Sequence, residues 1–271
     1  MNIQKDKNRR LVETEVEIRA SPEAIWEAIA TGSGIKAWFM AMETEFDARV
    51  GGEVRTKLGE ELVPIAKITA WNPPHEFATE GENSFGPGSP KIGYEWKVEA
   101  KGEGVCVLRL TQTLFTDQDS WDTQVEDTAA GWPAFFHVLR NYVERYAGKP
   151  SAVVQAMGPI PGSKDEAFER LAGALGVGEI NQGAIVDCKA NGAPAFSGEI
   201  EDVVHGRSNR IMIRLEQPCP GTGWIGVGPI GGQMTAIATF YYYGENAAAA
   251  SERDQPQITN WLRAFGGAPQ S

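Results

Sequence analysis

Residues 12–19, VETEVEIR, alternate apolar and polar, the period of a strand with one face buried. Ser21-Pro22-Glu23 then opens a helix. Ser21 suits the free amides of a helix start, Pro22 the first helical position, and Glu23 the positive end of the dipole. Ile25, Trp26, Ala28 and Ile29 form its apolar face, Gly32 and Gly34 stop it, and Ile35 to Phe39 make a second short turn. Strand periodicity returns at Thr44, Phe46, Ala48 and Val50, and Gly51-Gly52 reads as a hairpin turn before the next strand, where positive φ is needed. Residues 62–71 form a further strand ended by Asn72-Pro73-Pro74. Ile92, Tyr94, Trp96 and Val98 alternate with polar residues, as do Cys106, Leu108, Leu110, Gln112 and Leu114. A meander of this kind pairs antiparallel with one face on a core.

From Trp121 to Tyr146 the period becomes helical, and Trp132, Phe135, Phe136, Leu139, Tyr142, Val143 and Tyr146 lie on one broad stripe. Pro133 inside this stretch predicts a kink or a restart near Gly131. Strand, short helices, sheet and long helix make an α+β order rather than βαβ alternation. Ala147-Gly148-Lys149-Pro150-Ser151 reads as a linker, dividing the chain into 1–148 and 149–271. The second part repeats the order: a strand at 152–157, a helix at 164–175, strands near 181–190, 195–204, 209–216 and 233–243, and a helix at 257–265. Two readings stay open for it, a degenerate copy of the first part or an unrelated small β-rich domain.

At 271 residues and 42% hydrophobic the chain is long enough for two globular domains. Its formal charge is −11, and residues 1–150 carry 17 basic against 24 acidic side chains. An acidic field repels phosphate backbones and anionic headgroups, so neither nucleic-acid binding nor membrane insertion is expected. No apolar run nears the ~20 residues that span a bilayer. Lys5 to Arg10 reads as a frayed start. Cys106, Cys188 and Cys219 are far apart with no CxxC pair, which points to free thiols and a cytoplasmic location.

Five segments in order resemble the START-like (SRPBCC) helix-grip superfamily, and within it the homologues of the activator of heat-shock-protein-90 ATPase. They are ASPEAIWEAIA (20–30), GIKAWF (34–39), FDARVGGEVR (46–55), ITAWNPPHEF (68–77) and GWPAFFHVLRNYVERY (131–146). The resemblance covers residues 12–147. Over 151–271 it extends to layout and fragments such as APAFSGEIEDV (193–203). It implies a curved antiparallel sheet gripping a long C-terminal helix, with an apolar pocket between them. It implies no one chemistry, because members include ligand carriers, cyclases and chaperone partners.

Motifs for chemistry are sparse. Gly226-x-Gly228-x-x-Gly231 has dinucleotide-fingerprint spacing, but a strand-like QMTAIATFYYYG follows where a phosphate site needs a helix, and Pro229 lies inside. A turn between strands is the better account, and no cofactor is expected. His75 and His205 fall in turn sequences. His137 on the long helix is the general-base candidate if it faces the pocket. Asp117 and Asp119 read as a loop and cap before the long helix rather than a calcium site. No metal site is expected and no catalytic residue is assigned.

The aromatics carry the remaining signal. The expected ligand-binding residues are Trp38, Phe39, Trp71, Phe77, Tyr94, Trp96, Gln112, Trp132 and Phe136. Trp38 and Phe39 would wall or close the mouth of the pocket, and Tyr94 and Gln112 would be its polar handles. The leading reading is a START-like protein holding a small apolar or aromatic ligand between sheet and helix. The alternatives are a protein-interaction module (co-chaperone-like or homodimer-building, using an exposed apolar sheet in the second half) and a cyclase- or isomerase-type enzyme working in the same cavity.

Overall fold

A computed structural model describes residues 2–39, 43–58 (Leu58 by its backbone), 61–82, 86–178, 180–189, 192–230 and 233–266. The chain divides into two units, Met1–Ala147 and Gly148–Ser271. Each is α+β.

In the first unit eight antiparallel strands form one sheet, in the order β1 (Asn2–Asp6), β2 (Arg9–Ile18), β8 (Val105–Leu114), β7 (Ile92–Gly102), β6 (Glu76–Gly81), β5 (Glu61–Asn72), β4 (Glu53–Leu58) and β3 (Thr44–Phe46). Between β2 and β3 come α1 (Pro22–Ala30) and α2 (Gly32–Trp38). The Ser21 hydroxyl accepts from the Ala24 amide at 3.3 Å, capping α1 as the sequence indicates. Thr31 caps α2 in the same way through the Gly34 amide. Alternation does the sorting in the sheet. Val12, Ile18, Ile92, Trp96, Val98, Leu108, Leu110, Gln112 and Leu114 are buried on one face. The other face is solvated and laced with ion pairs such as Glu15–Arg109 and Glu76–Lys97.

The long helix α3 (Asp122–Asn141) follows a 3-10 turn at Asp119–Trp121 and packs against β2. It runs unbroken through Gly131 and Pro133, so there is no restart there. The departure from α geometry comes later, as a π turn at Tyr142–Tyr146. Pro133 is exposed, and its ring faces water rather than the sheet.

Three expectations need correction. The N-terminus is not frayed: β1 pairs with β2 from Asn2↔Glu13 to Asp6↔Arg9. Asp119 is not a helix cap. It and Asp122 accept from Arg10, whose nitrogens lie 2.8 and 2.6 Å away, and Lys5 joins both at 2.7 Å. Burial of the Arg10 guanidinium, only 3% exposed, draws the carboxylates to it instead of to the backbone. Paired with Lys5 first and Arg10 second, the Asp122 carboxyl is held below its ordinary range. Finally, the strand before Gly51-Gly52 stops at Phe46, and Val50 is exposed. The hairpin is real but wider: Gly51 takes φ +81°, and a Cβ on Gly52 would lie 2.0 Å from the Asp47 carbonyl oxygen.

In the second unit six strands pair in the order β10 (Ile185–Cys188), β11 (Phe196–Val204), β12 (Asn209–Gln217), β13 (Gly221–Ile230), β14 (Gln233–Tyr243) and β9 (Ser151–Pro159). Its helices are α4 (Lys164–Ala174) and α5 (Ala247–Phe265). As in the first unit from β2 onward, the first strand pairs with the last and the rest follow as a meander. Phe168 and Leu171 of α4 and Ile258 and Leu262 of α5 pack with Ile211, Ile213, Ile225, Phe240 and Tyr242 in one core. Helix α5 begins ten residues before the expected 257 and carries Pro256 inside it. The apolar stretch expected as an exposed partner face is buried at 221–228 and 238–243. A Cβ on Gly221 would stand 2.1 Å from the Tyr241 carbonyl oxygen, and one on Gly226 2.8 Å from that of Asn209. Close strand packing therefore accounts for the glycine spacing, and Gly231 lies outside the described residues.

Candidate functional site

Every residue expected at the site falls in one connected aromatic cluster on the inner face of the first sheet. Strand register builds its floor. Trp71 of β5 stands opposite Phe77 of β6, and Phe77 opposite Trp96 of β7, where the two rings stack at 6.1 Å and 13°. Tyr94 stands opposite Gln112 of β8. Helix α3 supplies the roof with Trp132 and Phe136, one helical turn apart.

Trp132 is the hub. Its indole N–H donates to the Gln112 side-chain oxygen at 2.9 Å, inside the buried layer. Its ring meets Trp96 at 5.8 Å, Phe136 at 5.9 Å and Tyr94 at 6.2 Å, and stacks on Phe39 at 5.8 Å and 11°. Beyond Phe77 the cluster continues to Trp26 of α1 and Phe46 of β3, with Trp26 5.0 Å from Trp71. Trp26, Phe46 and Phe135 were not among the expected residues. The α1 spacing showed Trp26 only as part of an apolar face, and Phe46 only as strand alternation. Phe135, 4.6 Å from Phe39, was visible on the helical stripe.

The cluster is graded. Trp38, Phe77, Trp96, Gln112, Trp132 and Phe136 are buried, whereas Trp26, Phe39, Phe46, Trp71, Tyr94 and Phe135 are half-buried. Trp38 has no exposed surface, and its indole N–H donates to the Ala28 carbonyl at 2.9 Å. It pins α2 to α1 as core rather than standing at a pocket mouth. The Gln112 side-chain oxygen accepts from Trp132.

Tyr94 is different. Its hydroxyl has no hydrogen-bond partner among the described residues, and burial pushes it up to about 12. Folding therefore favours the neutral phenol. Between pH about 10 and about 12 the folded chain keeps a proton that the unfolded chain releases, so this contribution is whole below 10 and is lost as pH rises through that window. Thermal melts over that range, with phenolate absorbance in parallel, check it. Tyr94→Phe should flatten part of the alkaline loss. Burial raises Tyr241 and Tyr242 as well, so the Tyr94 share is the difference between variant and parent.

No ionisable carboxylate or amine belongs to the cluster, so its chemistry is dispersion, ring quadrupoles and two hydrogen-bond donors. His137 is half-buried on α3, and His75 and His205 are exposed. Among the described residues no group of three or more His, Cys, Asp or Glu is placed to hold a metal ion. Cys106, Cys188 and Cys219 are buried free thiols, and burial raises Cys219 to about 11. An open groove of about 340 Å³ lined by Asn72, His75, Glu76, Lys97, Val98, Glu99 and Ala100 shares no residue with the cluster. Among the described residues no helix is long and apolar enough to cross a membrane.

Comparison with known proteins gives the following. Residues 19–144 match the family model described as Activator of Hsp90 ATPase homolog 1-like protein. No curated protein matches the chain. Among solved structures, the di-domain ARO/CYC BexL from the BE-7585A biosynthetic pathway is similar at 16% identity over 95% of this chain and 96% of its own, with a TM-score of 0.44. DynU16, from the dynemicin biosynthetic locus, is 15% identical over 96% of this chain and 97% of its own, with a TM-score of 0.39. The Aha1 dimer from Colwellia psychrerythraea is 20% identical over 50% of this chain and 96% of its own, with a TM-score of 0.40.

Proposed function

We propose, on the premise that residues 19–144 match the Activator of Hsp90 ATPase homolog 1-like family model, that the first unit binds a small aromatic ligand bearing an oxygen acceptor, between α3 and the inner face of the sheet. The observation that carries this is the Tyr94 hydroxyl, set unpartnered against the Trp132 ring. A carbonyl or phenol oxygen placed to accept from the half-buried Tyr94 hydroxyl and from the Gln112 amide nitrogen would gain hydrogen bonds of about 1 kcal/mol each, while the rings of Phe39, Trp96 and Trp132 take the aromatic body. With donors and no carboxylate in the cluster, the site selects neutral or anionic oxygen ligands over amines. The second unit is proposed as a variant copy of the first, supported by the common winding of their sheets.

A thermal-shift screen of hydroxylated and quinone-type aromatics tests the reading, with titration by tryptophan fluorescence. A binder of this class should quench emission, and Tyr94→Phe and Gln112→Leu should each weaken it by roughly tenfold, the worth of one hydrogen bond to a neutral acceptor. The reading fails if no such compound raises the melting temperature, or if both variants bind as tightly as the parent.

A further inference from the structure

Strand β9 is the outer strand of the second sheet, bonded on one side to β14. On its other side runs α5. The Gln155 amide donates to the Gln255 side-chain oxygen at 3.0 Å, and the Gln255 side-chain nitrogen donates to the Gln155 carbonyl at 2.8 Å. This reciprocal pair is the exchange that two opposed residues make in an antiparallel ladder. One side chain thus imitates the peptide of an absent strand. Its neighbours extend the cover. The Ser251 hydroxyl donates to the Val153 carbonyl at 3.3 Å, and Gly266 is seated so close that a Cβ would lie 2.1 Å from the Pro159 carbonyl oxygen. Thr259 accepts from the Gln255 nitrogen at 3.0 Å and donates to the Gln255 carbonyl at 2.8 Å, which holds the imitating side chain in place.

What lies under the cover is an edge without the usual safeguards. SAVVQAMGP has no charged residue, and its single proline is the last residue. Natural sheets protect open edges with lysines, inward charges, bulges or an overlying element, because unpaired backbone groups template a further strand. Here the overlying element is the whole defence. The chain carries −11 overall, yet two copies meeting at β9 would bring no like charges together within the strand.

We propose that α5 is an edge guard, and that when it is loosened β9 pairs antiparallel with β9 of a second copy of this chain. Light scattering behind size exclusion, over a concentration series of the full chain, tests it. Gln255→Ala should self-associate about tenfold more tightly than the parent, as a step in mass that grows with concentration. Adding Met157→Lys, at an edge position 59% exposed, should remove that step. Thr259→Val releases only the hold on Gln255 and should move the same way by less, with faster amide exchange at Gln155. It carries the test should Gln255→Ala not fold. The proposal is overturned if the folded variants keep the parent's mass at every concentration, or if the step persists with Met157→Lys.

Discussion

Trp96→Ala should lower the stability of the first unit by about 3–5 kcal/mol, the cost of emptying a large aromatic site in a core. For a chain of this size that is a fall in melting temperature of roughly 6–20 °C. The magnitude follows from position. Trp96 is 7% exposed and meets four rings: Phe77 at 6.1 Å, Trp38 at 6.2 Å, Trp132 at 5.8 Å and Phe136 at 6.2 Å. Each ring pair in an offset or edge-on arrangement adds about 0.5–1.5 kcal/mol beyond area. The hole cannot be filled cheaply, because Trp38 is tied to Ala28, Trp132 to Gln112, and Phe77 is fixed in its strand. Circular dichroism melts against Trp71→Ala supply the contrast, since Trp71 is half-buried and should cost less. A Trp96→Ala chain that melts with the parent would show that the rings close over the vacancy.

The second large effect is expected at Asp254, which has no exposed surface. Its carboxylate accepts from the buried Tyr242 hydroxyl at 2.8 Å and from Arg253 at 2.6 and 2.9 Å. Asp254→Ala should destabilise the second unit by about 3 kcal/mol, the low end for breaking a buried charged contact, because the half-exposed Arg253 side chain can turn to water while Tyr242 cannot. Tyr242→Phe removes the stranded hydroxyl. The double variant should therefore cost less than the two single changes added together, by about 1 kcal/mol. Urea denaturation of the four proteins measures the coupling. Strict additivity would mean that the two groups do not stabilise one another.

The parts of this fold that were readable share one trait: their signal is local. β2, β7 and β8 announce themselves by alternation, and α1 by Ser21-Pro22-Glu23. Tyr94 and Trp96 at i and i+2, with Trp132 and Phe136 at i and i+4, already share faces in the sequence. What was not readable depends on partners distant in the chain. β1 is exposed at all five positions, so no periodicity marks it, and only β2 makes it a strand. Asp119 has the composition of a cap, and what redirects it is Arg10, more than a hundred residues earlier. The front of α5 lies ahead of Pro256, where local sequence signals break a helix. The missing N–H of that proline leaves one carbonyl unpaired in a helix whose other contacts, Asp254 and Gln255 above all, hold it in place. Within the cluster, alternation set which rings share a face. It did not reveal that Trp38 is sealed by a carbonyl or that Gln112 accepts from Trp132, because both follow from the packing of separate elements.

The glycines of β13 have a consequence for how this chain can change over generations. Where a Cβ would meet a carbonyl oxygen at 2.1 Å, every other amino acid begins with a collision against backbone, which has no rotamer to yield. Gly221 leaves natural variation no alternatives, and Gly226 few, whatever the role of the second unit. Lineages of this chain can rewrite its solvated faces freely. They must carry a glycine-rich strand forward nearly unedited, on packing grounds alone.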